Sequence, residues 1–233
     1  MTGLRLLGYP VSNYVNIVRA ALLEKQLPFE LVVTRASQEA AFRKLSPLGK
    51  IPVLDTGEGW LSETVAILDY LDDAYPAVPL RHPDAFSRAR ARQIINLVQL
   101  YVEPQVRQLF RGVFMGGSNT AATEASVRAM LDRAAAALAE LLTPFPFLFG
   151  ERPGQADLFL FYNLDIAERV SRFVYERSII EEIGGLADWL AAMHDRPSTQ
   201  TVLADFHTSF RTYLADHGAA YRPDETPRPY SHA

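Results

Sequence analysis

In the first 80 residues, apolar side chains alternate between short runs and helical stripes. Leu4-Arg5-Leu6-Leu7-Gly8 and Phe29-Glu30-Leu31-Val32-Val33 are aliphatic runs of strand length. Between them, Val15, Val18, Ala20, Ala21 and Leu22 recur at helical spacing within residues 14–24. Residues 38–45 read as a short helix stopped at Ser46-Pro47, because a residue before proline is pushed out of helical conformation. Ile51-Pro52-Val53-Leu54-Asp55 is strand-like, and Thr56-Gly57-Glu58-Gly59 is a turn into Trp60-Leu61. Residues 64–75 read as a helix closed by Pro76. The order strand-helix-strand-helix-strand-strand-helix makes a small α/β layer domain.

Beyond a linker at 76–84, marked by Pro76, Pro79 and Pro83, the pattern is helical throughout. Ile94, Leu97, Val98, Tyr101, Val102 and Val106 form a stripe within 86–114, and Pro104 inside it predicts a kink. Gly116-Gly117-Ser118-Asn119 ends that helix. Val127, Met130, Leu131, Ala134, Leu138 and Leu141 form another stripe, broken at Thr143-Pro144-Phe145-Pro146. Residues 155–172 open with Leu158-Phe159-Leu160-Phe161-Tyr162, apolar all round, which predicts a buried central helix. Leu186, Trp189, Leu190 and Met193 mark a helix ended by Pro197, and Val202, Leu203, Phe206, Phe210, Tyr213 and Leu214 mark a last one. The tail from His217, with Pro223, Pro227 and Pro229, reads as irregular. The fold class is α/β plus all-α: an α/β domain at 1–78, a helical bundle at 85–216 and a tail at 217–233.

Composition narrows the chemistry. The 233 residues are 48% hydrophobic and 21% charged, as in a globular chain of one to two domains. A net charge of −4, evenly spread, argues against a nucleic-acid footprint or a polybasic membrane patch. Arg88, Arg90 and Arg92 form either a solvated face or part of a dimer cleft. No transmembrane helix is expected, and the start Met1-Thr2-Gly3-Leu4-Arg5 lacks a signal-peptide pattern, so a cytoplasmic location is expected. There is no cysteine. That excludes a disulfide scaffold, a zinc–cysteine site, an iron–sulfur cluster and a thiol nucleophile of the protein's own. His82, His194, His207, His217 and His232 share no ligand spacing, so no metal site is expected.

Three segments can carry chemistry. Ser12 precedes the first helical stripe; it is an N-cap, or a hydroxyl placed at a helix N-terminus where an anion such as a thiolate is stabilised. Ile51-Pro52 is an edge-strand start, or a cis peptide that leaves the Val53 backbone free to pair with an extended ligand. Ser62 reads as an N-cap with Glu63 as a first-turn acid; alternatively Glu63 and Thr64 hold the ammonium and carboxylate of an amino-acid-like ligand.

These segments, in this order, resemble the glutathione S-transferase superfamily. The stretch from Leu6-Leu7-Gly8 through Ser12-Asn13-Tyr14 to Leu27-Pro28-Phe29-Glu30 resembles its first βαβ unit. Ser46-Pro47-Leu48-Gly49-Lys50-Ile51-Pro52-Val53-Leu54 resembles its cis-proline segment. Leu61-Ser62-Glu63-Thr64-Val65 resembles its acid-plus-hydroxyl helix start, and Gly150 to Asp157 its buried-helix opening. Thr64 stands where serine is commoner in that family, and Gly154 where a serine or threonine N-cap is commoner. The resemblance implies a thioredoxin-like N-terminal domain that binds glutathione, a helical domain that builds the second-substrate pocket, and a homodimer. It implies Ser12 as the catalytic hydroxyl of a serine-type member, and Lys50, Ile51, Pro52, Val53, Glu63 and Thr64 as the glutathione-binding set. Tyr9, Asn13 and Tyr14 are neighbours of the thiol site, and the two tyrosines keep a tyrosine-type mechanism open. Tyr101, Gln105, Phe110 and Phe114 are expected to line the second-substrate pocket, or else to pack in the core or a dimer. The expected activity is transfer of glutathione to a small hydrophobic electrophile. A binding module without catalysis, or a glutathione-dependent isomerase, peroxidase or ether- or halide-cleaving enzyme, are the alternatives. The lack of cysteine disfavours the family's cysteine-type members.

Overall fold

Strand β1 (Leu4–Gly8) is central because Leu4, Leu6 and Leu7 are all buried, which a strand covered on both faces requires. The computed structural model, which describes residues 3–223, pairs it in parallel with β2 (Phe29–Val33) across helix α1 (Asn13–Glu24). After the single turn α2 (Ala40–Arg43), β3 (Val53–Asp55) runs antiparallel to β1, and β4 (Trp60–Ser62) antiparallel to β3. The sheet order is β2-β1-β3-β4, and α3 (Thr64–Ala74) packs beside α1. This is a thioredoxin-like unit, and its element order is the one the sequence pattern predicts. Its core is Leu6, Leu54, Ile17, Leu22, Ile67 and Leu71, all shielded from solvent.

The chain divides into two units, residues 1–81 with 196–209 and residues 82–195 with 210–233. The expected boundaries did not assign 196–209 to the first unit. Polar bonds tie that segment to α1: Glu24 accepts from Arg196 Nε at 3.0 Å and Nη2 at 2.6 Å and from Ser198 Oγ, and Arg19 pairs with Asp205.

The second unit is helical. The expected helix over 86–114 is divided into α4 (Ala85–Leu97), a π-helical turn (Val98–Val102), α5 (Glu103–Arg107) and α6 (Phe110–Phe114). Pro104 has no N–H and its ring presses on the preceding turn. The backbone opens just before it, and the Glu103 N–H reaches Val98 O, five residues back. Next come α7 (Ala121–Leu141), α8 (Gln155–Tyr175), α9 (Ile179–Ile183), α10 (Ala187–His194) and α11 (Pro197–Asp216). The helix expected to end at Pro197 stops at His194, and Pro197 also opens the next helix, where its missing N–H costs nothing. Every residue from Gln155 to Ser171 is buried, so α8 is the central helix that its apolar opening predicts. It begins on Asp157, whose carboxylate accepts from Gly154 N at 2.8 Å, Leu148 N at 2.9 Å and Trp189 Nε1 at 2.8 Å. The first part of the expected tail packs down: Ala219 and Tyr221 are buried, and Tyr221 N donates to Val113 O. The rest of that tail, with Pro227, Pro229 and His232, lies outside the described residues.

Candidate functional site

The sheet register gathers three loops. Val53 lies opposite Leu7 on one side and opposite Ser62 on the other. Because β3 is antiparallel to both neighbours, the ends of β1 and β4 and the start of β3 share one end of the sheet. Neighbouring strands are about 4.8 Å apart, so this line of three spans about 10 Å. Ser12 follows β1, Ile51-Pro52 precedes β3, and Glu63 and Thr64 follow β4.

Ser12 is the N-cap of α1, with extended backbone (φ −77, ψ 119). Its N–H donates to Tyr9 O at 2.9 Å, closing a turn over Pro10 and Val11. Its Oγ accepts from Val15 N at 3.4 Å. The two readings of Ser12 are therefore compatible: a hydroxyl that accepts at the cap keeps its own proton to donate. The positive end of α1 lies behind it. Tyr9 is half-buried, with the Arg35 guanidinium 4.3 Å from its ring centre. Asn13 is buried and Tyr14 half-buried on the first turn of α1. Arg35 and Asn16 escaped the sequence reading. The first lies beyond a strand run with no signal of its own, and the second is a polar residue inside an apolar stripe, a signal that could have found it.

The cis-proline segment is held from below. Buried Ser46 accepts from Lys50 N at 3.1 Å through its hydroxyl and from Gly49 N at 2.8 Å through its carbonyl. Gly49 has φ 66, and a Cβ there would lie 2.3 Å from Ser37 O, so the turn requires glycine. Ile51-Pro52 is cis. Lys50 is exposed, Ile51 is half-buried, and Pro52 and Val53 are buried. The edge-strand alternative is not what forms: β3 is internal, and its ladders begin only at Val53, leaving residues 50–52 outside them.

Ser62 is not an N-cap. It is the last residue of β4, and Glu63 occupies the cap position of α3 with φ 68 and ψ 113 and no side-chain capping bond. A positive φ at a non-glycine residue costs on the order of 1–3 kcal/mol and persists where the surroundings impose it, commonly at ligand sites. Glu63 is exposed, and its carboxylate makes no ion pair among the described residues. Thr64 is buried at the first position of α3, beside amides that no side chain caps.

The four residues expected to line a second-substrate pocket do not share one lining. Tyr101 borders a cavity of about 730 Å³ in the helical unit, with Arg92, Leu97, Leu100, Met130 and Arg133; Gln105, Phe110 and Phe114 do not. Gln105 Oε1 accepts from Gln108. Phe110 stacks edge-on against Phe114, which is 2% exposed and also meets Phe210 and Tyr221. Phe114 is core, the alternative the sequence left open. Among the described residues, no group of three or more His, Cys, Asp or Glu side chains is placed to hold a metal ion. Nor is any described helix long and apolar enough to cross a membrane.

Residues 6–79 match the family described as glutathione S-transferase, N-terminal domain, and residues 104–192 match glutathione S-transferase, C-terminal domain. The chain is 33% identical over 211 residues to a glutathione S-transferase of Pseudomonas putida F1, covering 91% of this chain and 96% of that protein. It is 29% identical over 177 residues to maleylacetoacetate isomerase of Pseudomonas aeruginosa PAO1, covering 71% and 82%. A crystal structure of a glutathione S-transferase from Rhodospirillum rubrum F11 superposes with a TM-score of 0.70 at 24% identity, covering 86% and 91%.

Proposed function

The chain belongs to the glutathione S-transferase superfamily, and from that premise we propose that it binds glutathione where the Ser12, Pro52 and Glu63 loops converge, activates the thiol and adds it to a small hydrophobic electrophile. A free thiol has a pKa of about 8.5 and is only a few per cent ionised at neutral pH. Lowering that value by about two units takes roughly 2.7 kcal/mol. A charge-assisted hydrogen bond from the Ser12 hydroxyl contributes about 1.5–3 kcal/mol, and the end of α1 about 0.3–1 kcal/mol more, so the two suffice.

Val53, expected to offer its backbone to the ligand, is paired with a strand on each side, so in this reading the cysteinyl part of glutathione pairs with the backbone of Ile51, just outside the ladders. The Glu63 carboxylate takes the γ-glutamyl ammonium. Thr64 and the uncapped amides of α3 take the adjoining carboxylate. Lys50 lies on the glycyl side, and Arg35 adds a second cation. The thiolate sulfur attacks the electrophilic carbon; a thioether forms and the leaving group departs with its electron pair. Tyr101, Gln105 and Phe110 keep their candidacy for the second-substrate pocket. The protein is read as a cytoplasmic homodimer that uses glutathione and no metal.

The observation that supports this most is the Leu7–Val53–Ser62 register, which gathers the three loops without any appeal to side-chain distances. The 29% identity to an isomerase favours a second reading. There the thiolate adds to an activated cis double bond, the new single bond rotates, and the thiolate leaves to give the trans alkene. Glutathione is consumed in the first reaction and regenerated in the second, so its titre during turnover separates them. The test of thiol activation is Ser12→Ala with an activated aryl halide at pH 6.5. A fall in kcat/KM of about tenfold or more is expected, and an unchanged rate would overturn the reading. No retention on immobilised glutathione, with no turnover of any electrophile, would leave a binding module instead.

A further inference from the structure

Asn16 is an uneconomical residue where it stands. It lies inside α1 between Val15 and Ile17, both wholly buried, and is itself 2% exposed. Asparagine is a weak helix former because its amide competes for backbone partners. Its Oδ1 is buried and has no hydrogen-bond partner among the described residues, a desolvation cost that an apolar side chain would avoid. What the residue supplies is one bond: Nδ2 donates to Pro10 O at 2.9 Å, buried. The backbone N–H of Asn16 also donates to Ser12 O at 3.0 Å.

Pro10 and Val11 are the central residues of the turn closed by Ser12 N–H on Tyr9 O. The peptide between those two residues is the one whose orientation distinguishes the common turn types. Its oxygen is the Pro10 carbonyl that Asn16 holds. Ser12 comes next in the chain. Among the described residues, its hydroxyl has only the 3.4 Å contact with Val15 N to fix it locally, long for a capping bond. The direction of the hydroxyl therefore depends on the turn, and the turn is pinned by Asn16.

We propose that Asn16 is the positioning residue of the thiol site: its amide on Pro10 O locks the turn that aims the Ser12 hydroxyl at the glutathione sulfur. The proposal rests on the transferase reading above, and its test separates the two. The pKa of the thiol of bound glutathione is read from thiolate absorbance in the wild type, Ser12→Ala, Asn16→Ala and Asn16→Leu. S-methylglutathione binding by calorimetry reports folding and ligand affinity without involving the thiol. Ala favours the helix and Leu keeps the volume, so a packing fault in one variant does not mask the other. Both Asn16 variants are expected to bind S-methylglutathione within about threefold of wild type, yet to raise the thiol pKa by about one unit, with kcat/KM at pH 6.5 falling about fivefold and KM for glutathione little changed. A low thiol pKa that is lost in Ser12→Ala but kept in either folded Asn16 variant overturns the positioning role alone. An ordinary thiol pKa in the wild type overturns the transferase reading, and this role with it.

Discussion

The ammonium of Lys25 sits 2.7 Å from the carboxylate of Asp72, with both side chains at most 2% exposed. Lys25 also donates to Val78 O at 2.6 Å, and Asp72 accepts from Leu80 N at 2.9 Å, so the pair ties the end of α1 to α3 and to the start of the linker. Arg81 is 3.7 Å from the other Asp72 oxygen and more exposed, too far to replace the lysine. Lys25→Met strands a buried carboxylate, and a loss of about 3–5 kcal/mol in urea unfolding is expected. Adding Asp72→Asn removes the stranded charge and keeps an acceptor for Leu80. The double variant is expected to be more stable than Lys25→Met.

Asp157 is expected to make stability depend on pH in an unusual direction. Burial pushes its pKa up from 3.8 to about 6, against the lowering effect of the three hydrogen bonds it accepts. The folded state therefore binds the proton more tightly than the unfolded chain. This group's contribution is fully present below pH 3.8 and is lost as pH rises through about 6. Measured against Asp157→Asn, which does not titrate, the wild type is expected to lose relative unfolding free energy from pH 4 to pH 7. Asp157→Ala leaves Leu148, Gly154 and Trp189 donors without an acceptor and is expected to cost about 2–4 kcal/mol.

Glu63 trades backbone strain for its position. Glu63→Gly relaxes the φ of 68 and is expected to leave the urea midpoint equal or higher. The same change removes the carboxylate, and calorimetry is expected to show S-methylglutathione binding weakened by about tenfold or more. A variant that is destabilised but binds normally would make Glu63 structural.

Phe114 and Tyr101 are expected to separate cleanly. Phe114→Ala opens a cavity among Phe110, Phe210 and Tyr221 and should cost about 3–5 kcal/mol. Tyr101 is 49% exposed, and Tyr101→Ala should change the unfolding free energy by less than about 1 kcal/mol.

The thioredoxin-like unit was legible because its strands are short aliphatic runs and its helices carry full stripes. The cis-proline was legible as a proline where a strand must begin. Glu63 was read with the wrong neighbour: Ser62 before an acid imitates a cap, but pairing with Val53 puts it in β4. No residue pattern announces a φ of 68 at a glutamate, since sheet and helix impose it from either side. The division near Pro104 was legible as a kink but not as a π turn. The five-residue α9 is too short to show a period. Pro197 was legible as the end of one helix but not as the start of the next, because proline fits both after a helix and at the first position of one.

The most direct test of the account is the pKa of the thiol of glutathione bound to the wild type and to Ser12→Ala. A value of about 6.5 is expected in the wild type and a return toward about 8.5 in the variant, with S-methylglutathione bound equally well by both. A thiol pKa that is the same in the two proteins would contradict it.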